Sequence, residues 1–570
     1  MFSFFNIFKK IISYLPIEKK KNIPFIIFLL TINSVLEVFG VAGVLPLLVS
    51  LTHNDPINDL WWAKAIANGL NISSKEELLL ILVWGLFSYF FLKSIISILI
   101  IKYINNFSFK IYRYLALKIA SHTHDDYSFL INTKNSNEMV HDINRLSFYY
   151  ANNQLTSSLY IITELITFIM ILMGLILYQP VLFFLILLLI LPFVFIPYMK
   201  IRKLSVVLGQ KRKFNEPKLE QSYREHIFGY IDITLTNTRS YFLNKIRSVL
   251  NELVKINVNS TIINFIPPKI MELGIIFSLS IITTYSFMYD MPAKDLINIL
   301  GFFVLAGFRM APSINRINTS LNAMNTTSWV LTSLNDFDFK DQMRQISKNL
   351  NFEFQNKISL KEITFSYSDS KNLIFDNFSL EILKGQSVGI VGESGSGKTT
   401  LMNILLGFLP LENGELHLDK NLIKKDNLKF YWSKIGYIKQ ETFLINDTIL
   451  KNVAFGLKDN DIDMGRFNHV ISLAELSKFV ESLELKENFI IKEGGLNISG
   501  GQRQRIGIAR ALYFHKEILF FDEATSALDE ENQEKITLAI KKLSQNNITT
   551  VIISHRPSAV KYCDKIIDLN

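Results

Sequence analysis

The sequence predicts a multidomain chain: an all-α transmembrane domain of six helices followed by an α/β domain. Three observations predict it. The 570 residues are 49% hydrophobic and 19% charged, with 45 phenylalanines, and this membrane-like average hides a break. Long apolar runs dominate up to about Met324, and the pattern after Phe352 is that of an ordinary α/β domain. Two long connections between apolar runs are rich in Lys and Arg, and the other connections are not. Finally, the apolar run Val388–Val391 leads into a glycine-rich loop, the order strand, loop, helix.

The chain begins with Phe4, Phe5, Ile7, Phe8, Ile11, Ile12 and Leu15, which share one helical face flanked by Lys9, Lys10 and Lys19 to Lys21. That predicts an interfacial amphipathic helix within 1–20 rather than a cleaved leader, since no small-residue cleavage site follows. A spanning helix needs ~20 apolar residues. Six candidates fit, at about Ile23–Leu51, Leu78–Ile104, Leu159–Tyr178, Val181–Tyr198, Ile262–Tyr285 and Leu296–Asn315. The connections 105–153 and 200–260 are long and basic, so they and both termini are expected on the cytoplasmic side. Apolar positions such as Phe109, Tyr112, Leu115, Leu117 and Ile119 keep a helical period there, so the spanning helices should continue into the cytoplasm. Pro46, Pro267, Pro268 and Pro312 are expected to kink or interrupt spans. The outer loop holds Trp61 and Trp62 in a stretch that suits a short interfacial helix. A polar connector follows at 326–351, so the expected domains are 21–325 and 352–570.

Charged residues inside spans are costly in lipid, on the order of 2.5–3.5 kcal/mol each. Glu37, Lys93, Glu164, Glu272 and Arg309 should therefore face another helix or a wet cavity. At 1.5 Å per residue Arg309 lies ~20 Å into its span, near mid-membrane, and Glu37 is at similar depth. Two roles are open: a structural Glu37–Arg309 pair, or Arg309 meeting an anionic group in a central cavity, with Glu37, Lys93 and Glu272 as further candidates. Lys269 and Arg316 fall nearer the inner boundary, where snorkelling accounts for them. The net charge of +9 follows from the cytoplasmic connections and does not call for a nucleic-acid partner. The single cysteine, Cys563, permits no internal disulfide.

In the second domain Gly392, Glu393, Ser394, Gly395, Ser396, Gly397, Lys398, Thr399 and Thr400 read G-x-x-x-x-G-K-T-T, the phosphate-binding loop. Its glycines let successive N–H groups turn inward on a triphosphate. Lys398 would reach the β- and γ-phosphates, Thr399 would hold Mg²⁺, and the helix behind points its positive end at the anion. Downstream, Ile518 to Phe521 form an apolar strand that ends in Asp522 and Glu523. The carboxyl end of a parallel strand is where such sheets place ligands. Asp522 would hold Mg²⁺ through its water shell, and Glu523 would polarise an attacking water.

With these two motifs the sequence resembles the ABC transporter family. Ile498, Ser499, Gly500, Gly501 and Gln502 resemble that family's L-S-G-G-Q signature, with Ile for Leu. Gln440 resembles the Q-loop residue linking Mg²⁺ and water to the membrane domain. Ser526 to Asp529 resemble the D-loop, His555 the switch histidine, and Tyr367 the aromatic that stacks on adenine. The resemblance implies an exporter-type half-transporter that binds ATP and Mg²⁺ and hydrolyses ATP. Ser499 opens a helix, so its hydroxyl and the following N–H groups form a second phosphate cap. In the family that cap faces the ATP of the partner subunit, which implies a homodimer with two composite sites. Lys492 departs from the glycine usual in exporters, in the loop before the signature.

Within exporters, Glu37 to Gly40 with Pro46, Pro268 to Gly274, and Phe308 to Arg316 resemble the PglK-type flippases of lipid-linked oligosaccharides. This implies ATP-driven flipping of a polyisoprenyl-pyrophosphate glycan across a bacterial inner membrane, with the nucleotide-binding domain in the cytoplasm. The alternative is an exporter of peptides, drugs or another lipid such as a lipid A-type glycolipid. A nucleotide-gated channel is a third reading, against which Glu523 argues because a gate need not hydrolyse.

Overall fold

The computed structural model describes residues 2–53, 55–125, 136–178, 180–289, 293–337, 353–367, 373–522, 530–554 and 560–569. The chain divides into two compact units, Met1–Lys340 and Asp341–Asn570.

The first unit is helical. Its elements are α1 (Phe2–Ser13), α2 (Ile23–Ala42), α3 (Lys75–Asp125), α4 (Ser157–Tyr178), α5 (Pro180–Phe228), α6 (Arg239–Met288) and α7 (Ala293–Thr326), joined by shorter helices. The helix α3 runs 51 residues and α6 runs 50, far beyond the ~20 a bilayer needs, so the expected extension past the membrane is present. Among the described residues four helical stretches are long and apolar enough to cross a membrane, at Ile17–Gly40, Lys75–Thr123, Glu138–Met173 and Arg239–Met288. The expected fourth and sixth spans fall on α5 and α7, where side chains of 177–200 and 290–309 lie outside the described residues.

The prolines act differently from one another. Pro267 and Pro268 sit inside α6, and Pro312 inside α7, without ending either helix. The first span does break, at Gly43, before a second helix Val44–Thr52. Pro46 is the third residue of that helix, where a missing N–H costs nothing because the first-turn donors have no intrahelical partner.

One apolar core joins α1, α2, α3, the start of α4 and the segment after α7, with Ile11, Leu15, Ile26, Ile111, Leu115, Tyr150, Leu155, Val330 and Leu334 buried. The face of α1 is therefore divided. Ile11 packs on protein, as does Leu15 just past the helix, and Phe5 stays exposed, free to meet an interface. The Tyr150 hydroxyl donates to the Ile11 carbonyl at 2.5 Å and the Tyr14 hydroxyl to that of Leu331 at 3.0 Å, tying α1 to segments far along the chain. The stretch that the sequence reads as connector from 326 is, at its start, core: Trp329, Val330, Leu334 and Phe337 are all buried. Their apolar spacing is masked in sequence by interleaved Ser, Thr, Asn and Asp. Gln154 closes the C-terminal end of α7 by donating to the Met324 carbonyl and the Thr327 hydroxyl, each at 2.8 Å, satisfying a carbonyl with no intrahelical donor. In the outer loop the expected short helix forms at Trp61–Leu70, with Ala63 and Ala67 buried and Trp61 exposed.

The helices α5 and α7 meet closely at Gly209. A Cβ there would come within 2.7 Å of the Thr326 carbonyl carbon and 3.0 Å of its Cα. Backbone cannot swing aside as a side chain can. Gly209→Ala is thus expected to destabilise by about 3 kcal/mol, the upper part of the overpacking range. Helix propensity alone would instead stabilise it by ~1 kcal/mol, so the sign separates the two effects. Thermal unfolding of the purified chain in nanodiscs checks it, and an unchanged or raised melting temperature would rule out the close contact.

The second unit carries two sheets. An antiparallel one has the order β2-β1-β4-β5, from β1 (Lys357–Phe365), β2 (Phe375–Leu383), β4 (Asn413–Leu418) and β5 (Asn421–Leu422). The other is parallel, order β6-β7-β8-β3-β9, from β3 (Ser387–Val391), β6 (Ile435–Ile438), β7 (Ile518–Asp522), β8 (Thr549–Ile553) and β9 (Lys565–Asp568). Val388, Ile390, Ile518 to Phe521 and Val551 to Ile553 are buried, as a sheet covered on both faces requires. Each phenylalanine of β7 so buried contributes about 1.5–3 kcal/mol. Packing of this kind holds the carboxyl ends of β3 and β7 as neighbours of β8 in one rigid sheet.

Candidate nucleotide site

Strand β3 ends at Val391 and the loop follows. Gly395 and Gly397 have φ of 90° and 92°, the left-handed region that only glycine enters without strain. At Gly397 a Cβ would also sit 2.8 Å from the Ile374 side chain. Gly397 then caps helix α8 (Lys398–Leu405). Lys398 is 5% exposed, and its ammonium donates to the carbonyls of Gly392 at 2.9 Å and Glu393 at 2.6 Å, which fixes it across the loop. The Ser396 hydroxyl is buried without a hydrogen-bond partner in the structure. A buried donor left so costs ~1–3 kcal/mol, and a phosphate oxygen would satisfy it. Ser394 and Thr399 are exposed beside it, and Thr400 is buried. The Tyr367 hydroxyl lies 3.3 Å from that of Thr400, its ring edge-on to Phe365 at 5.3 Å.

Across the sheet Asp522 ends β7, and its Oδ2 accepts from the Tyr437 hydroxyl at 2.9 Å. Burial, and then the negative charge of Asp522, push the Tyr437 phenol well above the usual tyrosine range, so it stays a donor. Gln440 lies two residues past the end of β6. The donors on offer for a cation, the Thr399 hydroxyl and the Asp522 carboxylate, are hard oxygens. They suit Mg²⁺, which keeps several waters and leans on substrate phosphates rather than a protein cage.

Ser499 caps helix α9 (Gly500–Tyr513) in a reciprocal box. Its hydroxyl accepts from the Gln502 N–H at 3.3 Å, and the Gln502 side chain accepts from the Ser499 N–H at 2.8 Å. The Gln502 side-chain oxygen is thus held by the cap, and the N–H groups of Gly500 and Gly501 open the helix where an anion binds best. Glu523, Asp529 and His555 lie outside the described residues.

In the membrane unit the candidate charges among the described residues fall into pairs. Lys93 on α3 donates to Glu37 on α2 at 2.6 Å, and its ammonium lies 5.0 Å from the Phe90 ring. Glu272 pairs with Lys269 one turn away at 2.8 Å on an exposed face. Arg309 lies on α7, its side chain outside the described residues. Snorkelling is not all that Arg316 does: it donates to the buried Glu164 of α4 at 3.0 Å. That pair, and Tyr437 behind Asp522, were missed in the sequence. An acid and a base at matching depth was the available signal for the first, and for the second a phenol on the strand beside Asp522.

Residues 375–526 match the family model described as ABC transporter. The ATP-dependent lipid A-core flippase of Pasteurella multocida (strain Pm70) is 34% identical over 264 residues, 46% of this chain and 44% of that protein. The protein of the same name from Ralstonia nicotianae (strain ATCC BAA-1114 / GMI1000) is 38% identical over 213 residues, 37% of this chain and 36% of that protein. The leukotoxin translocation ATP-binding protein LktB of Mannheimia glucosida is 41% identical over 215 residues, 38% of this chain and 30% of that protein. The chain thus spans less than half the length of each of these relatives. A bacterial Atm1-family ABC exporter solved with ATP bound superposes with a TM-score of 0.75 at 20% identity, covering 95% of this chain and 93% of that one. This likeness is one of fold.

Proposed function

We propose that this chain, with an ABC transporter domain over residues 375–526 and the fold of an ABC exporter, is a half-transporter that couples ATP hydrolysis to movement of a lipid-linked substrate across the membrane. The observation that carries it is the cradle at Gly392–Thr400, with its buried Lys398 and unpartnered Ser396 hydroxyl, on the same chain as helices apolar enough to span a bilayer. Two copies assemble so that the Ser499 cap of one closes over the nucleotide on the other. Tyr367 stacks on the adenine. Lys398 and the loop N–H groups hold the phosphates, while Thr399, Gln440 and Asp522 hold Mg²⁺. Glu523 polarises the attacking water with His555 against the γ-phosphate. The chain lies in a bacterial inner membrane with its nucleotide-binding domain and termini in the cytoplasm.

For the cargo we favour a polyisoprenyl-pyrophosphate oligosaccharide. Arg309 at mid-span depth suits a pyrophosphate, and the charges of Glu37 and Lys93 suit a polar head group. A second reading, a lipid A-type glycolipid or a peptide, is supported by the names of the relatives. Reconstitution of this chain alone with labelled lipids, measuring flipping and hydrolysis together, separates the readings. Arg309→Ala is expected to lower flipping of the pyrophosphate lipid by about 10- to 150-fold, with basal hydrolysis within about 2-fold of wild type, because removing a charge-assisted contact costs ~1.5–3 kcal/mol at that site alone. Undiminished flipping would remove Arg309 from the cavity, and stimulation only by lipid A or peptide would favour the second reading.

A further inference from the structure

Tyr437 is not among the residues assigned a role by the motifs, yet it touches three segments that meet at the nucleotide site. It stands on β6 directly opposite Phe520 of the parallel strand β7. Asp522 lies two residues further along, ~6.6 Å at strand rise, and the phenol spans that offset to reach Asp522 Oδ2 at 2.9 Å. Its ring is held from two directions. Phe408, just past α8, meets it edge-on at 6.2 Å, and the Lys439 ammonium, next to Gln440, lies 5.5 Å from its centroid. Phe408 is itself backed by Trp432 at 5.9 Å, whose indole N–H donates to the Leu406 carbonyl at 2.8 Å. Both torsions of the tyrosine are thus set by packing before any ligand arrives.

We propose that Tyr437 is a positioning residue that fixes the Asp522 carboxylate in the orientation that holds the divalent cation of a metal–nucleoside triphosphate. A carboxylate at a strand end can rotate about its last torsion, which is broad. One oxygen anchored by the phenol hydroxyl at 2.9 Å sets the plane of the group and directs the other oxygen. Outer partners of this kind are worth 10–100-fold in metal affinity. The phenol does this without adding charge, so it leaves the attraction of Asp522 for a cation intact, which a lysine or arginine in its place would not. The same ring sits between Phe408, at the end of the phosphate-loop helix, and Lys439, at the start of the Gln440 segment, so the carboxylate is referenced to both.

The proposal rests on the reading of Gly392–Thr400 and Asp522 as a metal–ATP site. The test uses the full chain in nanodiscs and a fluorescent non-hydrolysable ATP analogue, titrated in EDTA and at increasing Mg²⁺, with bound Mn²⁺ counted by electron paramagnetic resonance. Wild type binding the analogue more tightly with Mg²⁺ supports the site reading, and no metal dependence in wild type overturns that reading itself. Tyr437→Phe keeps the ring and removes only the hydroxyl. It is expected to raise the half-maximal Mg²⁺ and Mn²⁺ concentrations by about 10-fold or more, with affinity in EDTA unchanged, and hydrolysis recovering at high Mg²⁺. An unchanged metal half-point overturns the proposal. So does an equal loss of binding with and without metal, since the residue would then support the strand rather than the carboxylate.

Discussion

Lys398→Ala is expected to lower ATP hydrolysis by about 10²–10³-fold, the loss that follows removal of one preorganised charge from a phosphoryl-transfer site. The structure makes the argument specific. The ammonium is buried and its direction is set by two loop carbonyls, those of Gly392 and Glu393. No rotamer search is needed when the triphosphate arrives, and the interaction is worth more there than in water. The substitution should also weaken nucleotide binding by 10-fold or more, because a charge-assisted hydrogen bond contributes ~1.5–3 kcal/mol. The sheet beneath does not depend on this side chain, so the melting temperature without nucleotide should change little. Steady-state hydrolysis, analogue binding and thermal unfolding of the same preparation check all three. Hydrolysis within 5-fold of wild type would mean that the loop is not the catalytic cradle.

Glu523→Gln should separate binding from turnover. The residue follows Asp522 at the end of β7, and the change keeps its size while removing its basicity. A positioned general base contributes about 10²–10⁴-fold, so hydrolysis is expected to fall by at least 10²-fold with binding retained. If the Ser499 cap of a second copy closes on the bound nucleotide, the stalled state accumulates as a closed pair. Mass photometry of nanodisc-free detergent samples should then show ATP-dependent dimer persistence in Glu523→Gln and none in a Glu523→Gln/Lys398→Ala double variant. Full hydrolysis in the single variant would place the base elsewhere, and a dimer indifferent to ATP would disconnect the nucleotide from subunit closure.

Much of the site is legible before folding because its parts are local. The phosphate loop needs glycines at fixed offsets from a lysine, and Gly395 and Gly397 are where φ turns positive. The Ser499 cap and its Gln502 partner are three residues apart, so a capping box can be read directly. Gln502 illustrates the same locality: its side-chain oxygen accepts from the Ser499 N–H, and its amide NH2 group remains a donor for a ligand. In the membrane unit, hydropathy is enough to read the long apolar helices. It does not read where the first span breaks, because Pro46 draws attention while the discontinuity sits at Gly43.

By itself the sequence determined that a spanning helical unit precedes an α/β unit, that the latter has a phosphate loop, and that charges lie within the spans. All of these depend on periodicity or spacing over fewer than about 25 neighbouring residues, the length scale of a turn, a strand or a bilayer. Only the tertiary structure decided who meets whom. Lys93 finds Glu37 across 56 residues, Arg316 finds Glu164 across 152, and Tyr437 finds Asp522 across 85. It likewise decided that Trp329 and Leu334 belong to the core and that Gly209 lies against Thr326. The physical reason is common to them. A buried charge, phenol or glycine is tolerated only by what packs against it, and no local pattern encodes a neighbour that arrives from another helix or strand.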